Sequence, residues 1–488
     1  MMRLSWWIGV ATILIGVLST VAVSMTQFSH NEEMYVAAGA LVADGLIPYR
    51  DFSYLQTPYL AWVYGAMFRL LPEPGWYLLA AKSVSLAAYG VSLALVFQIA
   101  RGLTSSRTGA LLITAFVATN LLIIMSTAEA SNYAMPLALV LGALRACQAD
   151  RPRWWLSGIL MGAAVGVKLT FAPLLVPLIV AAMRQGSGAG TRFLLGLTLG
   201  LAPLAAHLLA GIDVVVFNNV GYHRMQAQWR IAHDWGPTLT LLSKLRLAGS
   251  LIVHEPPTLW ALAALVTGLA WTRQLPQSPQ AVLGMGLIGT AVAAALVPTP
   301  VFPQYFALPA ALGILAIACV WQAPLTNDGT RALPVLTLFV LGAALSAAPV
   351  AWRGVALLTD HHNWAAFRMR DAGREVRLAI DAHGELAGRP IATLSPIMAL
   401  ENGLPIYPDL ATGSFAYWPG DMLTDDERRR YVTTSPSTIG ALLAATPPAA
   451  VLVGFRGELD TPLRAYAESH DFSGPFPLRN GAEFYVAR

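Results

Sequence analysis

Long apolar runs with almost no charge inside them recur along this chain, and their spacing predicts its architecture. The run over residues 5–25 is long enough to cross a bilayer as a helix and follows Arg3. A secretory signal begins in the same way, but no small-x-small cleavage site follows, so a retained helix with a cytoplasmic N-terminus is expected. Further runs cover 76–100, 108–125, 134–147, 154–167, 170–183, 193–211, 258–272, 281–297, 305–322 and 333–352, about eleven crossings in all. The segment 154–183 is short for two crossings. Counting it as two, bent at Lys168-Leu169-Thr170, puts Arg3, Arg101, Arg107, Arg151, Arg153, Arg184, Arg192, Arg273 and Arg331 on one side, as the positive-inside rule requires.

Three stretches break the pattern and are expected outside: 26–75, 212–257 and everything after 352. In the first, Met34, Ala37, Ala38, Leu41 and Val42 recur at helical spacing until Gly45 and Pro48 end the pattern. Thr57-Pro58 opens a second short helix with Leu60, Val63, Tyr64, Met67 and Leu71 on one side. Both helices suit the membrane interface and are expected to lie along the outer surface. After 352, charges return in close succession at Arg368, Arg370, Asp371, Arg374 and Glu375. They mark a soluble α/β domain over 353–488, about 130 residues, which suffices for one small core. Within it 390–394 and 450–454 read as buried strands, 437–446 as a helix and 483–486 as a last strand. No GxGxxG or P-loop pattern occurs, so no nucleotide cofactor is expected and a structural cap is the default reading. The expected fold is an α-helical polytopic membrane domain over 1–352, with interfacial helices in its first outer loop, followed by this small α/β domain.

The composition agrees. Of 488 residues, 56% are hydrophobic and only 12% charged, about half the roughly 25% charge of soluble chains. The net charge of +4 reflects the arginines flanking the apolar runs, and no basic cluster or stacking platform suggests nucleic acid. Cys147 and Cys319 have no disulfide or metal-ligand spacing.

Polar residues at the outer edges are the candidates for chemistry. Ser29 and Glu32 have the spacing of a capping box, and Glu32 and Glu33 in a first helical turn oppose the helix dipole. A carboxylate there can also hold a divalent cation such as Mg or Mn, or take a proton from an attacking hydroxyl. Glu129, a lone acid in the short outer stretch 126–133, either caps the next helix or shares a site with Glu32. Lys168 at the hairpin bend either snorkels or meets an anion such as phosphate. The stretch 212–257 carries Tyr222, His223, Arg224, Arg230, His233 and Lys244 with Trp229 and Trp235, suited to a lipid phosphate and sugar ring or to a polar rim for headgroups. His223 and His233 lack the i, i+4 spacing of a helical metal pair, and His207 reads as a core histidine. Gln304-Tyr305 opens a span at the outer rim.

Together these features resemble the polytopic glycosyltransferases of the GT-C superfamily, which includes protein O-mannosyltransferases and lipid A aminoarabinose transferases. Asn31-Glu32-Glu33-Met34-Tyr35 is similar to the superfamily's D-E-x-x-Y, with Asn31 in place of the aspartate. Residues 45–52 read GLIPYRDF, like the G-x-x-P-Y-R-D-F of bacterial relatives, and Gln56-Thr57-Pro58-Tyr59-Leu60 resembles K-P-P-L without its lysine. Glu129, ahead of Met135-Pro136, corresponds to a second acid; residues 166–170 resemble the hairpin turn around K-x-T, and Tyr222-His223 a Tyr-His pair.

The resemblance implies a polyprenyl-phosphate-linked sugar donor taken from the bilayer. Transfer to a hydroxyl of a glycan, lipid or protein would occur on the outer face of a bacterial cytoplasmic membrane, and a single displacement would invert the anomeric centre. It implies Glu32 as base or cation ligand and Glu129 as its partner, with Glu33, Tyr35, Tyr49, Arg50, Lys168, Tyr222, His223, Arg224 and Tyr305 against substrate. Because Asn31 replaces the superfamily's first acid, Glu32 must take over its work; because Gln56 replaces a lysine, Lys168 or Arg224 must do more at the phosphate. A transporter or flippase of lipid-linked glycans is the other reading, with Glu32, Glu129 and Lys168 as path charges, although no internal repeat is visible. A third is a non-catalytic scaffold whose outer tail binds a partner.

Overall fold

The computed structural model describes residues 2–149, 151–273 and 278–488. Every apolar run expected to cross a bilayer folds as helix. Met2–Thr26, Tyr77–Thr104, Ser187–His207, Pro279–Leu296, Pro303–Asn327 and Gly329–Leu358 are each long and apolar enough to cross alone. Arg107–Thr119 and Leu121–Ala128 are apolar enough as a pair but bend by 64° at one residue. That residue, Asn120, is extended, and its side chain caps the second helix by accepting from the Ile123 N–H at 3.1 Å. Ala134–Cys147, Trp154–Val167 and Leu169–Arg184 are shorter apolar helices.

The chain divides into two compact units. The first, Met1–Thr26 with Val84–Pro203 and Asp234–Thr359, packs helix on helix. In lipid, helices gain little from hiding apolar surface, so small residues that allow close approach do much of the work. A Cβ on Gly16 would lie 2.1 Å from the Ala118 carbonyl oxygen, and one on Gly196 2.0 Å from that of Trp155. Trp321, fully buried, donates its indole N–H to the Ala264 carbonyl at 2.9 Å.

The second unit is Gln27–Ser83 with Leu204–His233 and Asp360–Arg488. Its sheet contains β1 (Ile391–Thr393), β2 (Ala450–Val453), β3 (Phe472–Pro477) and β4 (Glu483–Ala487) in the order β1-β2-β4-β3. β1 and β2 are parallel, and the other pairs antiparallel. The three expected strands and the helix at Ile439–Ala445 are present. β3 went unforeseen because FSGPFP has no apolar alternation; it is an exposed edge, where a proline costs no ladder bond.

One expectation gains detail here and one needs correction. Helices form at Asn31–Ala43 and Tyr59–Phe68 as anticipated, but the first is buried throughout Glu32 to Leu41, and the second hides Leu60, Ala61, Tyr64, Gly65 and Phe68 while Val63 stays exposed. Glycines decide this face. A Cβ on Gly39 would meet Tyr64 at 2.5 Å and one on Gly65 would meet Val42 at 2.4 Å, so the helices cross where counting apolar residues does not place the contact. The stretch 212–257, anticipated as a loop, is mostly helical: Ser187–Val216 continues past a kink at Gly211 into a π-helical turn, Phe217–Gly221, then Tyr222–Ala232 and Leu241–Val253.

The tail also secures the start of the helix Tyr77–Thr104. Buried Glu401 accepts from the N–H groups of Trp76 and Leu78, both at 2.6 Å, placing a carboxyl at a helix N-terminus whose donors have no partner inside the helix. Gly75 and Trp76 turn the chain with φ of 107° and 61°, and a Cβ on Gly75 would lie 2.4 Å from the Glu401 carbonyl oxygen. Glu401→Ala strips acceptors from these donors and is expected to destabilise the protein by about 1–3 kcal/mol. Thermal unfolding in detergent should show this, with Glu401→Gln falling between the wild type and the alanine variant.

Candidate active site

The acids of the opening stretch are buried and committed. Glu32 and Lys82 are 0% and 2% exposed and form an ion pair at 2.7 Å. The other Glu32 oxygen accepts from the Ser29 N–H at 2.9 Å, and Lys82 Nζ donates to the Gln27 carbonyl at 3.0 Å. This is half of the anticipated capping box. The Ser29 hydroxyl accepts from the Asn31 N–H at 3.3 Å, while the Glu32 N–H donates to the Ser29 carbonyl. Lys82 lies inside the apolar run 76–100, and its partner was hidden for that reason, although a lone lysine there demands one.

Glu33 faces the tail. Its oxygens accept from the Ser395 hydroxyl at 2.5 Å and the Ile397 N–H at 3.2 Å. Burial pushes its carboxyl up to about 7, against the opposing pull of those two bonds and of Arg456. Burial likewise pushes His30 down to about 4, helped by Arg456.

The GLIPYRDF stretch is a self-stapled turn. Asp51 accepts from the Ile47 N–H at 2.8 Å and pairs with exposed Arg50 at 2.7 Å. Tyr49, buried with φ of 69°, donates its hydroxyl to the Gln56 carbonyl and accepts from Asn219 at 3.3 Å. Asn218, in the π-helical turn, accepts from the Ser53 hydroxyl at 2.7 Å and the Tyr54 N–H at 3.0 Å. Tyr35 packs edge-on to Tyr54, and buried Tyr222 edge-on to His223. Arg224 is exposed. His207 packs between Tyr49 and Trp62, the core role anticipated for it.

Glu129, Lys168 and Tyr305 belong to the first unit, whereas Glu32, Glu33, Tyr35, Tyr49, Arg50, Tyr222, His223 and Arg224 belong to the second. Lys168 does not snorkel. It is 4% exposed, donates to Asn132 at 2.9 Å, and stands 3.8 Å over the Tyr133 ring and 5.4 Å over that of Tyr305. With both tyrosines, Thr170 and Gln304 it lines a small cavity of about 30 Å³. Glu129 is near enough for its charge to act on Lys168, and it lines a second cavity of about 440 Å³ to which Gln304 also contributes. Glu255, which sequence reading passed over, lines that second cavity and knits two helix starts together. It accepts from Asn120 at 3.1 Å, from the N–H groups of Leu121 and Leu122, and from the Thr258 hydroxyl.

The donor chemistry at Glu32 does not suit a divalent cation. One of its oxygens is held by an ammonium and the other by a backbone N–H, and an ammonium at 2.7 Å would repel a second positive charge. Among the described residues, one group of three metal-capable side chains converges, Asp360-His361-His362, exposed and including neither Glu32 nor Glu129.

Residues 55–209 match the family described as dolichyl-phosphate-mannose-protein mannosyltransferase. No curated protein is similar to the chain in sequence. Two crystal structures of ArnT from Cupriavidus metallidurans are similar in fold over almost its whole length. The form bound to undecaprenyl phosphate has a TM-score of 0.63 and the apo form 0.57, each at 14% identity over 98% of this chain and 97% of that one. An oligosaccharyltransferase from Archaeoglobus fulgidus, in complex with Zn and sulfate, has a TM-score of 0.52 at 12% identity over 97% of this chain and 73% of that one.

The state of Glu33 gives a pH dependence. A folded-state value of about 7 lies above the ordinary 4.5, so the folded chain holds a proton that the unfolded chain releases between the two. The associated stability is complete below the ordinary carboxylate range and is lost as pH rises through about 7. Glu33→Gln mimics the protonated acid. Its melting temperature should therefore drop less than that of wild type between roughly pH 4.5 and 7; an equal drop would place the titrating group elsewhere.

Proposed function

We infer from the GT-C superfamily fold of this chain that it is a membrane glycosyltransferase, and we propose that it moves a sugar from a polyprenyl-phosphate donor to an acceptor hydroxyl. The supporting observation is Lys168: a buried lysine caged by two tyrosines and an asparagine on a cavity wall. A cation costs free energy in such a place unless something anionic uses it. A donor of this class carries its own leaving group, a phosphate that gains charge as the bond to the anomeric carbon breaks. A fixed ammonium stabilises that charge where it develops.

In this reading Glu129 supplies the carboxylate next to the reacting hydroxyl, and its position near Lys168 supports that role. The geometry around Glu32 supports a held anion that fixes the opening helix rather than a mobile base. We place the transfer on the outer face of a bacterial cytoplasmic membrane, with inversion by a single displacement.

Purified protein in liposomes, given labelled polyprenyl-phosphate sugar and a crude acceptor fraction, should transfer label with release of the lipid phosphate. Lys168→Met and Glu129→Gln should each slow turnover by about 10²-fold or more while melting as wild type does. Labelled lipid that crosses the bilayer uncleaved would instead identify a flippase.

A further inference from the structure

The cavity that Glu129 lines has a histidine on its wall. His254 caps the C-terminus of the helix Leu241–Val253, and its Nδ1 lies 2.9 Å from the Ser250 carbonyl oxygen. A carbonyl only accepts, so Nδ1 carries the hydrogen. In the neutral imidazole Nε2 is then a lone pair. His233 and His383 end helices in the same way, so the bond alone is an ordinary cap; what His254 adds is the cavity it shares with Glu129.

Glu255 and the two serines there are occupied. The carboxylate of Glu255 is saturated by the helix starts it caps. Ser126 donates to the Leu122 carbonyl at 2.6 Å and Ser250 to that of Leu247 at 2.8 Å. The volume, about 440 Å³, admits a sugar ring, with Leu122 and Leu251 offering apolar surface to its face.

We propose that His254 is the proton acceptor of the transfer and that Glu129 stabilises the imidazolium it becomes, a division of labour that rests on the transferase reading above. The acceptor O–H bond breaks and its proton passes to Nε2. The freed oxygen pair bonds to the anomeric carbon, and the carbon–oxygen bond to phosphate breaks with its pair staying on the departing lipid phosphate. The imidazolium then returns its proton to water. Titratable groups on the surrounding elements are Glu129 and Glu255 on the cavity, Tyr305 on the turn Pro303–Phe306, and Lys244 and Arg246 on the same helix as His254. Lys244 is engaged with the Leu296 carbonyl at 2.9 Å and Thr299 at 2.8 Å.

The test separates the cap from the base. Asn at 254 can still donate to the Ser250 carbonyl, as Nδ1 does, but has no proton acceptor in place of Nε2; Gln reaches further yet is equally unable to take a proton. In the liposome assay, His254→Asn and His254→Gln should melt as wild type does and lose about 10²- to 10⁴-fold in turnover. Both should also lose the fall in rate that wild type shows as acid protonates its base. If wild type transfers sugar and either variant keeps its rate and its acid limb, His254 is not the base and the transferase reading stands. Wild-type protein that transfers nothing overturns both.

Discussion

The opening stretch depends on one ion pair between groups that water barely reaches. Taking a carboxylate and an ammonium out of water costs several kcal/mol each, repaid only when the geometry is good and the remaining hydrogen-bonding capacity is used. Glu32 and Lys82 meet both conditions at 2.7 Å, with the Ser29 N–H on one side and the Gln27 carbonyl on the other. Glu32 stands near the start of the segment Gln27–Ser83 and Lys82 near its end, so the pair closes the segment at its base. The helix Asn31–Ala43 is fixed at its first turn, and Glu33 is thereby aimed at Ser395 and Ile397.

The same constraint governs the other buried charges. Glu401 and Glu255 sit at helix N-termini, where backbone donors are otherwise unpaired, and Lys244 takes the carbonyls at the end of Pro279–Leu296. Lys168 has a neutral hydrogen-bond acceptor, two aromatic faces and the charge of Glu129 nearby, with no ion-pair contact among the described residues. That setting holds an ammonium in place yet leaves its charge available to an anion. The contrast between Glu32, neutralised by its partner, and Lys168, merely cradled, is why the proposed phosphate contact is assigned to the lysine and the anchoring role to the glutamate.

Much of this architecture was legible in the sequence because apolar length is a one-dimensional signal. The helical runs, the change of composition in the tail, and the strands AVLV and EFYVA all declared themselves. Packing by absence did not: Gly39 and Gly65 set the contact between the opening helices, and no count of apolar side chains contains it. Edge strand β3 carries glycine and prolines in place of a strand pattern. Buried charges were legible where one interrupted an outer stretch or a bend, as at Glu32, Glu129 and Lys168. They were illegible where the charge lay within an apolar run, as at Lys82, or served a fold contact far along the chain, as with Glu401.

The most direct measurement is a double-mutant cycle on the pair that closes the opening stretch, with Glu32→Gln, Lys82→Met and both together compared for unfolding free energy and for sugar transfer. Breaking a buried pair from one side should cost about 3–5 kcal/mol in each single variant, and the double variant should regain much of that stability because no orphaned charge remains. Losses that simply add, with no recovery in the double variant, would contradict the account.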